Sequence, residues 1–93
     1  MDITEELLKA FESSLERVRK LPTRPSNDML LKLYGLNKQA TKGDINIEKP
    51  DMFDVVKQAK YAAWEELQGL SKGEAMKQYI QLVDQLFSEL SES

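Results

Sequence analysis

Apolar side chains recur at intervals of three and four residues in four stretches of this chain, and prolines or glycines interrupt the pattern between the stretches. That spacing places the apolar groups along one side of an α-helix. It predicts helices at about residues 4–20, 27–42, 52–68 and 72–90. No segment longer than five residues alternates apolar and polar residues with the period of two that is typical of a strand. The sequence therefore predicts an all-α fold of four helices.

Residues that stop or cap helices lie where the periodic stretches end. Pro22 and Pro25 cannot continue a helix interior, and Gly43 is suited to end the second helix. Asp51 is expected to cap the third helix, and Ser71 begins a Ser-x-x-Glu capping box before the fourth. Because the fourth helix has the most regular apolar pattern, we expect it to supply most of the core.

A chain of 93 residues is long enough to enclose one hydrophobic core and too short for a second. It contains neither an internal repeat nor a low-complexity tract. We therefore expect a single domain over residues 1–93.

The composition argues against several classes of function. The chain has no cysteine and no histidine, so it lacks disulfides, thiolate metal sites and the commonest metal ligand and general base. Its net charge of -3 argues against general nucleic-acid binding. No apolar run approaches the ~20 residues that span a bilayer, and the first residues are acidic, unlike those of a signal peptide. We expect a soluble cytoplasmic protein without stable membrane insertion.

The segment 44–51 superficially resembles the start of a calcium-binding loop, because acidic and amide residues alternate along it. The sixth position is Lys49, where the loop requires glycine, and the twelfth is Val55, where a glutamate should complete the coordination. We therefore expect a solvated loop here and no metal site.

Two aromatic residues lie one helical turn from a lysine. Tyr34 and Lys38 are four residues apart in the predicted second helix, and Lys60 and Trp64 have the same spacing in the third. Residues at this spacing share one face of a helix, so Tyr34 and Lys38 can act together on an anionic ligand that carries a ring. Trp64 borders a stripe of alanines, and its simplest role is that of a core residue. For the lysines, the competing interpretation is an ordinary solvated surface.

The order of several motifs resembles that of the acyl-CoA-binding protein family. The run Lys-Gln-Ala-Thr-x-Gly-Asp at 38–44 precedes the run Ala-Lys-Tyr-x-Ala-Trp at 59–64, and both are followed by matching residues at 71–80. The resemblance extends from about residue 11 to residue 86 without an apparent gap. It implies a compact four-helix bundle that binds long-chain fatty acyl-CoA esters without catalysing a reaction on them. It also implies intracellular transport and pool formation of these esters by a monomer that needs no cofactor.

The resemblance also implies which residues contact the ligand. The positions expected at the coenzyme A headgroup are Arg19, Tyr34, Asn37, Lys38, Lys60 and Tyr79. The positions expected to line the groove for the acyl chain are Phe11, Asn27, Leu30, Leu31 and Val56.

Three residues depart from the family pattern and support an alternative function. Asn37 and Tyr61 stand where the family commonly has a tyrosine and a tryptophan, and Val56 stands where it often has a lysine. The alternative is a helical protein-interaction module of the same fold with weakened or lost ligand binding.

A catalytic alternative, such as a thioesterase, has little support in the sequence. Ser13, Ser14 and Asp54 supply hydroxyl and carboxyl groups, but no base-nucleophile pair is recognisable. We therefore expect no catalytic residue.

Overall fold

Four α-helices and one short 3-10 turn form the regular secondary structure of the computed structural model, which describes residues 2–91. In chain order these are α1 (Glu5–Arg17), the 3-10 turn (Val18–Lys20), α2 (Asn27–Lys42), α3 (Val55–Glu65) and α4 (Lys72–Ser91). Between residues 2 and 91 there is no strand. The prediction of an all-α fold with four helices is confirmed, and α2 has the predicted bounds.

The first predicted helix is α-helical only as far as Arg17 and then narrows into the 3-10 turn. The Leu21 amide donates to the Val18 carbonyl oxygen at 3.4 Å, a bond between residues three apart rather than four. Leu21 then adopts an extended conformation with ψ of 139°. The following Pro22 explains this change, because a proline disfavours the helical conformation of the residue before it.

The third helix is shorter than predicted because Asp54, and not Asp51, caps it. The Asp54 side chain accepts a hydrogen bond from the Lys57 amide at 3.0 Å, so the helix begins at Val55. Asp51 instead closes a turn, in which its Oδ1 accepts from the Phe53 amide at 2.9 Å. The predicted end at residue 68 is also wrong, because the chain after Glu66 is held by bonds between residues three apart.

The start of α4 matches half of the predicted capping box. The Ser71 Oγ accepts a hydrogen bond from the Glu74 amide at 3.0 Å. The Ser71 hydroxyl also bonds to the carboxylate of Asp2, which ties the N-terminal residues to this helix end. That bond is the main reason that the pKa of the Asp2 carboxyl lies below its usual value.

The helices form a flat body of 38 × 37 × 16 Å, in which α4 packs against α1 and α2 while α3 packs against α2. The prediction that the fourth helix supplies most of the core is confirmed among the described residues. The buried hydrophobic residues of α4 are Ala75, Met76, Tyr79, Leu82, Val83 and Leu86. Those of α1 and α2 in the same core are Phe11, Leu33, Leu36 and Ala40.

The backbones of α2 and α3 approach each other closely at Gly35. A Cβ added to Gly35 would lie 2.6 Å from the carbonyl oxygen of Ala63, which is closer than real Cβ contacts. A glycine at this position therefore allows α3 to lie directly against α2. The close approach sets the relative position of the side chains on the two helices.

A hydrogen-bonded clamp joins the loop after α2 to the loop before α4. The Gln39 Nε2 donates to Asp44 Oδ1 and to the Leu70 carbonyl oxygen, both at 2.8 Å. The Gly69 amide donates to the same Asp44 oxygen at 2.7 Å. The Gly69 bond, and secondarily the Gln39 bond, lowers the pKa of the Asp44 carboxyl. In the segment 44–51, Asp44 thus has a structural role.

The domain predicted over residues 1–93 extends past the described part of the chain, since residues 1, 92 and 93 lie outside it. Between residues 2 and 91, none of the helices has both the length and the apolar character that crossing a bilayer requires.

Candidate ligand-binding site

Two ammonium groups lie close to the Tyr34 ring. The Lys60 Nζ is 5.3 Å from the ring centroid, and the Lys38 Nζ is 5.8 Å from it. Lys38 also lies 5.8 Å from the centroid of the Trp64 ring. These distances are within the range of cation–π attraction. The structure therefore brings together the two aromatic-lysine pairs that the sequence placed on separate helices.

The packing of α3 on α2 explains this convergence. Tyr34 and Lys38 lie one turn apart on α2, and Lys60 and Trp64 lie one turn apart on α3. The two helices meet at Gly35, which directly follows Tyr34 in the chain. Trp64 is 2% exposed, which confirms its predicted place in the interior.

An apolar groove of about 420 Å³ opens on one side of Tyr34. Leu30, Leu31, Asn27 and Val56, four of the five residues predicted at the acyl chain, line this groove. Its remaining lining residues are Arg24, Tyr34, Val55, Ala59 and Lys60. Val55 and Ala59 are four residues apart, so helix periodicity could have indicated that they share a face. No periodicity indicates a position for Arg24, which lies in the proline-rich break between helices.

A second groove of about 280 Å³ also borders Tyr34. Arg19, Asn37 and Tyr79, all predicted at the headgroup, line it together with Tyr34. Val18, Pro25, Leu30 and Leu33 complete the lining, and none of these except Leu30 was predicted at the site. Leu30 and Tyr34 contribute to both grooves. The two grooves are therefore neighbouring parts of one surface.

Tyr79 reaches this surface from α4 with most of its ring buried. Burial raises the pKa of the Tyr79 hydroxyl, and the nearby Arg19 guanidinium opposes that rise only in part. The Phe11 ring lies beneath it in an edge-on contact, with centroids 5.3 Å apart. Phe11 is 2% exposed and lines neither groove, so its position lets it support the Tyr79 ring from below.

Two of the three residues considered for catalysis, Ser14 and Asp54, have structural roles, and Ser13 is exposed. Ser14 is 1% exposed, and Asp54 caps α3 through its side chain. Within residues 2–91, no group of three or more acidic, histidine or cysteine residues is arranged to hold a metal ion.

Known proteins share both the sequence and the fold of this chain. The family model described as Acyl CoA binding protein matches residues 8–83. The acyl-CoA-binding protein of Saccharomyces cerevisiae is 51% identical over 81 residues, which cover 87% of this chain and 93% of that protein. Acyl-CoA-binding protein homolog 1 of Caenorhabditis elegans is 48% identical over 80 residues, covering 86% and 93% respectively.

A solved structure agrees with these sequence matches. The crystal structure of Oryza sativa acyl-CoA-binding protein 2 superimposes with a TM-score of 0.89 at 42% identity, covering 94% of this chain and 97% of the rice chain. The match to the family model and the similarity to these relatives extend over most of the described chain. The chain therefore belongs to the acyl-CoA-binding protein family.

Proposed function

We propose that this chain binds long-chain fatty acyl-CoA esters reversibly, and that it carries and pools them without catalysing a reaction. The observation that carries this proposal is the position of Tyr34. Its ring lines both the apolar groove and the neighbouring groove that contains Arg19 and Tyr79, and two ammonium groups lie 5.3 and 5.8 Å from its centroid. An acyl-CoA ester has the matching parts, since an apolar chain is joined to an anionic headgroup that carries an adenine ring.

The basic side chains of the site suit the phosphate groups of coenzyme A. Lys38 and Lys60 converge on Tyr34 from two helices, and Arg19 lines the neighbouring groove. A phosphate that accepts hydrogen bonds from ammonium groups binds more strongly than a neutral acceptor does. The Tyr34 ring offers a surface on which a base can stack, and the largely buried Tyr79 lines the groove beside it. Binding of an anionic headgroup would explain why a protein with a net negative charge has a local cluster of cations.

The apolar groove suits the acyl chain. Each buried methylene contributes about 0.8 kcal/mol, so a chain of roughly 16 carbons contributes about 12 kcal/mol if it is wholly covered. The groove is open, and immobilising the chain costs free energy, so the net contribution is smaller. We expect affinity to rise with chain length until the groove is filled, and the headgroup contacts to discriminate against free fatty acids.

Two departures from the family pattern lie at the edges of this surface. Asn37 lines the second groove where the family commonly has a tyrosine, so one stacking surface is missing. Val56 lines the apolar groove where the family often has a lysine, which removes one cation. We expect weaker headgroup binding than in relatives that have the tyrosine and the lysine.

We also propose that residues 1–93 form one binding domain, which acts as a monomer in the cytoplasm and needs no cofactor. The lack of cysteine suits a reducing compartment.

The position of Phe11 beneath Tyr79 supports an indirect role for Phe11, in which it holds the ring that faces the ligand.

Isothermal titration calorimetry with palmitoyl-CoA tests the proposal directly. We expect one-to-one binding and a higher melting temperature of the complex, because the ligand binds only the folded state. Palmitate alone should bind more weakly. No heat of binding at micromolar concentrations of palmitoyl-CoA would refute the proposal.

Two further measurements separate this function from its alternatives. Native mass spectrometry of protein purified from a bacterial host should detect bound acyl-CoA, whereas an interaction module of the same fold should carry none. Release of free coenzyme A above the uncatalysed rate would instead indicate a thioesterase.

A further inference from the structure

Four large apolar side chains are exposed together where the chain enters α3. Met52, Phe53, Val55 and Val56 are 73%, 86%, 75% and 64% exposed, and we call them the apolar tip. Single exposed apolar residues are common on protein surfaces, but four within five consecutive positions form a patch. None of the four belongs to the buried core. Burial in the monomer therefore does not account for their apolar character.

The backbone holds the apolar tip in a defined conformation. The Asp54 amide donates to the Asp51 carbonyl oxygen at 3.0 Å, and the Phe53 amide donates to the Asp51 side chain at 2.9 Å. The Gln58 side chain donates to the same carbonyl oxygen at 3.2 Å. Because these polar groups are already paired, moving the turn into an apolar environment leaves fewer hydrogen bonds unmade.

The apolar tip continues the surface of the apolar groove. Val55 and Val56 line the groove, and they also border a shallow depression together with Phe53. Val55 and Val56 therefore belong both to the groove and to the tip, whereas Met52 and Phe53 lie outside the groove. This continuity links the tip to the ligand rather than to a separate activity.

We propose that the apolar tip inserts shallowly into a phospholipid surface and turns the open groove toward the lipid that supplies or receives the acyl chain. This inference rests on the proposed function, because it names the surface with which the same groove exchanges its ligand. The chain has no helix suited to span a bilayer between residues 2 and 91, so the contact is peripheral.

Charge and size favour a lipid surface over another protein. Asp51 and Asp54 border the tip, and Asp54 pairs with the exposed Lys57 at 3.9 Å. The cations available to a lipid surface are therefore those of the groove, Arg24 and Lys60. When apolar side chains insert shallowly into a lipid surface, neighbouring cations lie at the depth of the phosphate headgroups and can bind them. Four side chains also provide less area than the ~800 Å² per partner that a stable protein interface buries. A second copy of the chain is therefore a poorer occupant.

Vesicle binding by a double variant, Met52→Ser with Phe53→Ser, tests the proposal. Neither residue lines the apolar groove, and both are so exposed that the variant should fold. The probes are vesicles of phosphatidylcholine with and without phosphatidylserine, first unloaded and then carrying palmitoyl-CoA. Co-flotation measures the bound protein, and stopped-flow fluorescence measures how fast palmitoyl-CoA leaves the vesicles. The matched control is Leu8→Ser, which removes a 41% exposed leucine from α1.

We expect the double variant to bind palmitoyl-CoA in solution as the wild type does, to partition onto vesicles about tenfold less, and to extract the ligand more slowly. The Leu8→Ser control should behave as the wild type. The proposal is wrong if the wild type ignores both kinds of vesicle, or if the double variant binds them equally well. It is also wrong if the tip proves to mediate only self-association. If the wild type does not bind palmitoyl-CoA in solution, the proposed function is refuted instead. Binding to unloaded vesicles tests the tip independently of the ligand.

Discussion

The indole Nε1 of Trp64 donates a hydrogen bond to the carbonyl oxygen of Gly43 at 2.9 Å. This bond joins the C-terminal half of α3 to the residue that ends α2. It fixes how far along α2 the third helix lies, and Lys60, one turn earlier, then faces Tyr34. The sequence predicts only a core role for Trp64, and the structure adds that it positions Lys60, a lysine of the candidate ligand site.

Replacing Trp64 by phenylalanine tests this positioning role. Trp64→Phe keeps an aromatic ring but leaves the Gly43 carbonyl without its partner, so we expect the free energy of unfolding to fall by about 1–3 kcal/mol. The urea midpoint measures this loss. Binding of palmitoyl-CoA should weaken as well, measured under conditions where the variant is folded. Unchanged binding by a destabilised variant would show that the bond does not position Lys60.

Lys60→Ala should weaken ligand binding much more than it lowers stability. A hydrogen bond to a charged group contributes about 1.5–3 kcal/mol, so the dissociation constant for palmitoyl-CoA should rise by about tenfold or more. The cation–π contact with Tyr34 contributes under about 1 kcal/mol at an exposed site. Calorimetry and thermal unfolding measure the two effects. The matched control is Lys57→Ala, because the exposed Lys57 side chain forms a long ion pair of 3.9 Å with Asp54 and lines neither groove. Equal losses of affinity and stability in Lys60→Ala would indicate a structural lysine.

Gly35→Ala should lower the free energy of unfolding more than Gly73→Ala does, although both new methyl groups meet close neighbours. The Cβ at position 35 would lie 2.6 Å from the backbone oxygen of Ala63, which moves only if α2 and α3 separate. We expect a loss of about 1–3 kcal/mol in the free energy of unfolding and a weaker site. At position 73 the neighbour is the side chain of Asp2, which can swing away. Chemical denaturation compares the two variants, and equal losses would contradict this account of the α2–α3 contact.

Asp44 should make stability depend on pH in the acidic range. Hydrogen bonds from Gly69 and Gln39 lower its pKa in the folded state, so the folded protein binds a proton there less readily than the unfolded chain. The stabilisation is present above the ordinary carboxyl pKa of about 4 and disappears as the pH falls through the lowered value. The stability difference between the wild type and Asp44→Asn should therefore shrink below about pH 4. A difference that stays constant from pH 6 to pH 2, followed by urea unfolding, would contradict this role.

Tyr79 should make the free energy of unfolding fall as the pH rises into the alkaline range. Burial raises its pKa in the folded state, so the unfolded chain ionises this hydroxyl first. The native state keeps its full stability below the ordinary tyrosine pKa of about 10 and loses this contribution as the pH rises through the raised value. Tyr79→Phe cannot ionise, and its stability should therefore decline less than that of the wild type above pH 10. Parallel declines in urea unfolding would show that Tyr79 does not titrate in this way.

The helices were predictable because the apolar spacing is regular, but the start of α3 was not. Asp51 and Asp54 both carry a carboxylate that can accept from backbone amides, and the choice between them depends on the turn that forms. The sequence pattern shows which residue types can cap and does not show which backbone amide each one reaches. The same limit applies at the other end of α3, where bonds between residues three apart begin after Glu66 and end the helix earlier than predicted.

The family resemblance predicted more of the candidate site than the spacing of residues along the helices did. The pairs of Tyr34 with Lys38 and of Lys60 with Trp64 follow from helix geometry, but their convergence depends on the contact at Gly35. Arg24 lies in a break between helices, where no periodicity indicates the direction of a side chain. The residue assignments at the headgroup and in the acyl groove remain predictions, and the variants described above test them.

The position of α3 at one side of the flat body affects how the protein opens. Within residues 2–91, α3 has its main helix contact with α2, and its first turn carries the exposed Val55 and Val56. Its far end is secured by Trp64. Local unfolding should therefore begin in the first half of α3, where amide protons should exchange with solvent sooner than those of α4. A ligand held between α2 and α3 would slow that exchange, so that part of the binding free energy serves to order a segment of the protein's own backbone.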